Sequence, residues 1–110
     1  MKSEREAKRV TVLVGETDHY EGRALHEAIV SMLHAEGVAG ATATRGILGY
    51  GSSGRTHSAH LLDLADDLPV TIVFVDSPET VERVLAKLDS MMDSGLVTIE
   101  DVHAITYAPK

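Results

Sequence analysis

The residues best suited to bind a small ligand lie in one glycine-rich stretch of the 110-residue chain. Glycines let backbone N–H groups converge on an anion, and hydroxyl groups add further donors. The glycines are Gly49, Gly51 and Gly54, and the hydroxyls belong to Ser52, Ser53 and Thr56. Arg45 and Arg55 flank the stretch with positive charge, and Tyr50 offers a ring for stacking on a base. This composition predicts an anion site, although it is equally ordinary for a solvated loop.

A second group of residues has metal-ligand chemistry. His57, His60 and Asp63 are spaced so that they would share one face of a helix, and a divalent cation accepts such ligands. No further strong ligand with supporting spacing accompanies them, and exposed histidines are common. We therefore keep these three as weak candidates and predict no metal site.

The sequence does not favour catalysis. There is no cysteine, which excludes thiolate chemistry. Ser52, Ser53 and His57 have no partner pattern that would make a nucleophilic triad, and the pairs Asp66 with Asp67 and Asp18 with Glu21 lack an adjacent nucleophile. No Walker or dinucleotide-binding motif occurs. We predict a protein that is not an enzyme and has no cofactor.

The charge balance limits the partners. Ten Lys and Arg against 17 Asp and Glu give a net charge of -7, which repels phosphate backbones. An RNA-binding module ranks last, since the aromatic platform and basic surface are missing. No apolar run approaches the roughly 20 residues of a membrane helix, and residues 1–9 lack the apolar centre of a signal peptide. We expect a cytoplasmic protein that does not bind nucleic acid.

The periodicity of the apolar residues predicts the order β-α-β-β-α-β. Strands are expected at 10–14, 41–48, 70–75 and 97–107. A first helix is expected from about Leu25 to Gly37, and a second follows Ser77 and Pro78 and ends at Gly95. This order is the ferredoxin-like α+β fold, a four-stranded antiparallel sheet with two helices on one face. Residues 1–8 are predicted to be a disordered tail, and residues 9–110 one domain.

Two features of this domain point beyond a simple monomer. The connection at 48–68 is far longer than the two to five residues that antiparallel neighbours need, and long connections are usually functional or disordered. The strands at 10–14 and 70–75 are apolar on both faces, apart from Thr11 and Thr71, while the helices cover only one. We therefore predict an oligomer that packs through its sheets.

Five segments resemble the PII-like family known as domain of unknown function 190, which is similar in turn to the PII nitrogen-regulatory proteins. They are GETDHYEG (15–22), GVAGAT (37–42), RGILGYG (45–51), DLPV (67–70) and SGLVT (94–98). The resemblance implies a homotrimer with ligand clefts between subunits and a long T-loop that contacts partner proteins. It also implies an adenine nucleotide as effector, with Thr42 near the adenine and Gly49 and Gly51 near the phosphates. Gly46 lies within the same matched segment.

The chain departs from the PII pattern where PII proteins close their triphosphate site. No Lys or Arg lies between Lys87 and Lys110, so Arg45 and Arg55 are left to neutralise a ligand. A monophosphate, a diphosphate or a cyclic nucleotide fits this charge better than a triphosphate. The resulting hypothesis is a regulatory trimer that signals through residues 49–57 to a membrane transporter or an enzyme. The alternatives are a metal-binding trimer of the divalent-cation-tolerance type and a ligand-free interaction subunit.

Overall fold

The computed structural model describes residues 1–51 and 67–109. Its elements are β1 (Lys2–Gly15), β2 (His19–Tyr20), β3 (Arg23–Ala24), α1 (Leu25–Ala35), β4 (Ala41–Arg45), β5 (Pro69–Asp76), α2 (Pro78–Met91) and β6 (Leu96–Tyr107). The main sheet has the strand order β4-β5-β1-β6, and all of its neighbours are antiparallel. The predicted ferredoxin-like fold is confirmed, with the two most aliphatic strands in the centre. The short β2–β3 hairpin lies between β1 and α1.

Alternation along the strands places the core on the helix side of the sheet. Val10, Val12, Ile72 and Phe74 are buried, and each alternates with a more exposed residue. The helices add Leu25, Ile29, Leu33, Val81, Val84 and Leu88. At the start of α2, the Thr80 N–H donates to Ser77 Oγ over 3.3 Å, so Ser77 is the N-cap of this helix. Neither described helix is long and apolar enough to cross a bilayer.

No helix among residues 1–51 and 67–109 covers the opposite face of the sheet. Leu13, Thr71, Val73 and Val75 on this face are partly buried, and Leu96 is 55% exposed. These side chains form an apolar surface on the two central strands and β6. The prediction that other copies of the chain cover this face remains a prediction.

The prediction that residues 1–8 form a disordered tail was wrong. Residues 2–8 belong to β1, and they pair with β6 in an unbroken register from Lys2 opposite Tyr107 to Lys8 opposite Asp101. β5 ends at Asp76, opposite Lys8, so residues 2–7 of β1 and 102–107 of β6 continue beyond the sheet as a two-stranded ribbon. We call this ribbon the arm. Backbone pairing with a distant strand orders a segment whose own sequence is polar.

A histidine bridges two carboxylates on the arm. His103 Nδ1 lies 2.9 Å from Glu6 Oε1, and its Nε2 lies 2.9 Å from Glu4 Oε1. The hydrogen bond with Glu4, followed by that with Glu6, raises the pKa of His103 above its ordinary value of 6.5. A raised pKa means that folding favours the protonated ring. The stabilisation is therefore complete below about pH 6.5 and is lost as the pH rises through the folded-state pKa.

We accordingly expect the His103 ring to titrate above pH 6.5 in the folded protein, as measured by NMR of its Cε1–H resonance. Glu4→Gln and Glu6→Gln should each lower this pKa, because each removes one charged acceptor. A His103 pKa at or below 6.5 would contradict the bridged arrangement.

Candidate ligand cleft at the base of the long connection

A cleft of about 240 Å³ opens at the end of the sheet where β1 finishes and β6 begins. Its wall combines the end of β1, the turn before β6 and both sides of the connection between β4 and β5. The lining residues are Leu13, Val14, Gly15, Asp18, Tyr50, Gly51, Asp67, Pro69, Ser94, Gly95 and Leu96. Ligand sites usually enclose roughly 300–1,000 Å³. One chain therefore provides room for part of a nucleotide-sized ligand.

The turn after β1 is held by Asp18. The Gly15 N–H donates to Asp18 Oδ2 over 2.9 Å, and the Asp18 N–H donates back to the Gly15 carbonyl over 3.2 Å. The Asp18 carbonyl in turn accepts the Leu25 N–H at the start of α1 over 2.8 Å. These bonds close the turn and present the Gly15 backbone to the cleft.

The same turn is bonded to the end of the long connection. The Glu16 N–H donates to the Leu68 carbonyl over 2.8 Å. Thr17 donates to Asp67 Oδ1 twice, from its hydroxyl over 2.9 Å and from its N–H over 3.2 Å. The segment that immediately precedes β5 is thereby fixed to the turn after β1.

The start of the connection is bonded to the same place. Arg45, the last residue of β4, forms an ion pair of 2.6 Å between its Nε and Glu16 Oε2. The next N–H, that of Gly46, donates to the Pro69 carbonyl over 2.7 Å. Both ends of the 46–68 connection therefore meet at the turn 15–18, beside the cleft.

The glycines at this site have different roles. A Cβ on Gly46 or Gly49 would lie 2.8 Å or 3.0 Å from Pro69 Cγ, so both are needed for close packing against that ring. Gly51 lines the cleft, and within residues 1–51 and 67–109 no atom lies within 4 Å of the position its Cβ would take. Gly95, across the cleft, has a backbone φ of +113°, a conformation that residues other than glycine rarely adopt.

The charge of the described wall is negative. Asp18 and Asp67 are the charged side chains in the described lining, and their carboxylates both approach Gly15. Arg45 lies outside the lining, with a side chain that is 64% exposed and bonded to Glu16. Among residues 1–51 and 67–109, the groups that could meet an anion here are backbone N–H groups and Arg45 after it leaves Glu16.

The structure brings together part of the predicted site. Tyr50 and Gly51 line the cleft, and Arg45, Gly46 and Gly49 form its base. Thr42 lies on β4 opposite Val73 and is absent from the described lining. Arg55 and the weak metal candidates His57, His60 and Asp63 lie outside the described residues. Within residues 1–51 and 67–109, no three His, Asp or Glu side chains could hold a metal ion.

Several lining residues were missed from the sequence. Asp18 and Asp67 were considered only as members of carboxylate pairs for catalysis, and Gly95 only as the end of a helix. The matched segments at 15–22, 67–70 and 94–98 contain all three, so the spacing of the resemblance carried a signal that the residue types alone did not.

Comparison with solved structures shows that the fold is that of PII-like proteins. Comparison with family models identifies the sequence family. The family model DUF190, described as Uncharacterized ACR, matches residues 7–104, and the chain belongs to this family. A UPF0166 protein of Methanocaldococcus jannaschii is 38% identical over 98 residues, which cover 88% of this chain and 90% of that protein. The family resemblance seen in the sequence is confirmed.

Two solved structures show the same fold. The apo form of CPII from Thiomonas intermedia, a nitrogen regulatory PII-like protein, aligns with a TM-score of 0.65 and 19% identity over 97% of this chain and 100% of that chain. CPII bound to ADP and bicarbonate aligns with a TM-score of 0.60 and 24% identity, covering 93% and 91% of the two chains.

Proposed function

We propose that the protein is a PII-like regulatory subunit that binds a small anionic ligand, with an adenine nucleotide as effector, and signals through the connection that contains residues 49–57. The observation that carries this proposal is the convergence of both ends of that connection on the turn 15–18 beside the cleft. A ligand in the cleft touches Tyr50 and Gly51 at the start of the connection and Asp67 at its end. Binding is therefore positioned to change what the connection presents to a partner.

An adenine nucleotide suits the described residues at two points. Tyr50 is 81% exposed at the edge of the cleft, so its ring is available for stacking. Arg45 can exchange the Glu16 carboxylate for a phosphate, because a guanidinium pairs with either group. The structural neighbour CPII binds ADP and bicarbonate, which gives the nucleotide hypothesis a precedent on the same fold. One guanidinium at the described base favours a ligand of low charge over a triphosphate.

We further propose that the protein is a cytoplasmic homotrimer. The apolar face of the sheet needs a cover, and a second chain would also complete a cleft that is small and open in one chain. The regulated partner would be a membrane transporter or an enzyme that reads the 49–57 segment. A regulatory role of this kind requires no catalytic group. It requires only that the ligand favour one conformation of the connection over another.

Isothermal titration against AMP, ADP, ATP and cyclic AMP tests the ligand class. We expect saturable heat with at least one of the mono- or diphosphates or the cyclic nucleotide, and weaker binding of ATP. Tyr50→Ala should weaken binding, whereas Tyr107→Ala, which alters an exposed tyrosine on the arm, should not. Absence of heat with all four nucleotides at millimolar concentration would overturn the nucleotide hypothesis.

A further inference from the structure

The arm has one backbone edge that no strand in the described chain pairs. Pairing between β1 and β5 begins at Lys8, whereas pairing between β1 and β6 begins at Lys2. Residues 2–7 of β1 are therefore paired on one side only, within the part of the chain that the structure describes. An unpaired edge of six residues is long enough to accept another strand.

The hydrogen bonds at the two ends of β1 show which backbone groups face this edge. Met1 and Ala108 exchange hydrogen bonds, so odd-numbered residues of β1 bond to β6. At the other end the Glu16 N–H donates to Leu68, so even-numbered residues face the β5 side. Because this alternation is regular in an antiparallel ladder, the N–H and C=O groups of Lys2, Glu4 and Glu6 point away from β6 into the free edge.

A second edge, also unpaired within residues 1–51 and 67–109, faces the same side of the sheet. β4 is the terminal strand, and its five residues are all exposed. The Gly46 N–H bonds to Pro69 of β5, so the alternate residues Ala41, Ala43 and Arg45 direct their backbone groups outward. The side chains of β4 are mainly alanine and threonine, which leave room for a neighbouring backbone.

The two edges form a step that is complementary to itself. Past Asp76 only β1 and β6 continue, so β5 and β4 leave a gap beside the arm that is two strands wide. At the usual strand spacing this gap measures about 10 Å. A copy rotated by 180° about an axis perpendicular to the sheet would place its own β4 and β5 in this gap. The β4 strand of the copy would then run antiparallel to β1 of the arm. The three residues of β4 with outward backbone groups would lie opposite the three such residues of the arm.

The charges on the arm are partly paired within the chain. Glu4 and Glu6 are bridged by His103, and Lys8 is bonded to Asp101 over 2.6 Å. Arg5 lies 3.8 Å from the carboxylate of Asp76, at the end of β5. These ion pairs offset part of the charge that an incoming strand would meet, since one protonated His103 faces two carboxylates. The described register contains no bulge that would turn the edge away.

We propose that residues 2–7 of the arm pair with β4 of a second copy of this chain, and that the reciprocal pairing joins the two copies about a two-fold axis. The contact uses strand edges, so it is distinct from the face-to-face packing of the proposed trimer. Combined with that trimer it would give six copies with D3 symmetry, and without the trimer it would give two.

Native mass spectrometry and sedimentation velocity of the full chain separate these cases. An assembly of two or six copies supports the edge pairing, whereas one or three copies overturns it. Three copies would leave the proposed trimer intact, and two copies would leave the edge pairing intact without it. Nucleotide titration on the same sample tests the ligand hypothesis separately.

Amide hydrogen exchange on the wild-type protein tests the edge itself. Ser3, Arg5 and Ala7 bond to β6 within the chain and should be protected in every case. Glu4 and Glu6 should be protected only if a second strand pairs with them, and protection should fall on dilution. Exchange of Glu4 and Glu6 at the rate of an unstructured peptide, while Ser3, Arg5 and Ala7 are protected, would overturn the proposal.

Matched substitutions identify the partner strand. Glu4→Pro removes an N–H that points away from β6 and pairs with no strand of the described residues, and proline is tolerated at such an edge position. Glu4→Ala removes the same carboxylate and keeps the N–H. We expect Glu4→Pro to raise the dissociation constant of the two-fold contact by about tenfold or more relative to Glu4→Ala, because symmetry removes two hydrogen bonds. On β4, Ala43→Pro should raise the same dissociation constant, whereas Ala43→Ser should not. If Glu4→Pro equals Glu4→Ala, or Ala43→Pro equals Ala43→Ser, the pairing of the arm with β4 would be overturned.

Discussion

Replacing Gly95 with alanine is expected to lower the free energy of unfolding by about 3 kcal/mol or more. Gly95 has φ +113°, and a Cβ at this position would lie 2.6 Å from the backbone oxygen of Leu13 and 2.9 Å from Met92 Cε. The methionine end can move aside, but the Leu13 carbonyl belongs to a central strand and cannot. The substitution therefore combines an unfavourable backbone conformation with a steric clash, and it also alters the wall of the cleft.

Gly37→Ala is the matched control for this substitution. Gly37 also has a positive φ, of +83°, but no atom lies within 4 Å of the position its Cβ would take. It should therefore cost only the backbone strain, about 1 kcal/mol. Urea unfolding at a fixed protein concentration measures both, since assembly would otherwise change the apparent stability. Equal losses for the two variants would show that the contact with Leu13 is relieved without cost.

Replacing Arg45 with alanine is expected to weaken nucleotide binding by roughly 10- to 100-fold. A hydrogen bond to a charged group contributes about 1.5–3 kcal/mol, and each 1.4 kcal/mol corresponds to a factor of about ten in affinity. In the ligand-free structure the guanidinium is bonded to Glu16 over 2.6 Å, so the phosphate must compete with this carboxylate. Titration calorimetry with whichever nucleotide binds the wild type measures the loss.

Glu16→Ala separates the charge of Arg45 from its structural contact. It breaks the same ion pair, yet it leaves the guanidinium free to meet a ligand. We expect its affinity for the nucleotide to equal or exceed that of the wild type, because the competing carboxylate is gone. If Glu16→Ala and Arg45→Ala weaken binding equally, the ion pair would matter as a support for the base of the connection, and the phosphate contact would be ruled out.

The sheet and helices were predictable because their burial follows simple periods. Val70, Ile72 and Phe74 alternate in β5, and Leu25, Ile29 and Leu33 recur at helical spacing in α1. The arm was not predictable from such patterns. Its residues in β1 are mostly charged, and they become a strand through backbone bonds to residues about one hundred positions away in the sequence.

The candidate site likewise has one part that was predictable from the sequence and other parts that were not. The segment 45–51 was recognisable, since glycines beside an arginine are a local pattern. The other walls depend on contacts between distant positions. Thr17 and Asp67 are 50 residues apart, and neither is unusual in its local sequence. The local sequence around Gly95 does not show that the position requires glycine. This requirement comes from the close approach of the Leu13 backbone in β1.

The convergence on the turn 15–18 has a consequence for protein engineering. Arg45 and Gly46 on one side, and Asp67 and Leu68 on the other, are bonded to residues that lie outside the connection. Since the entropy of closing a loop changes slowly with its length, the intervening sequence is an exchangeable cassette. Segments from other members of the family, or a short glycine-serine linker, can be grafted between these anchors to transfer or remove partner specificity while the subunit stays unchanged.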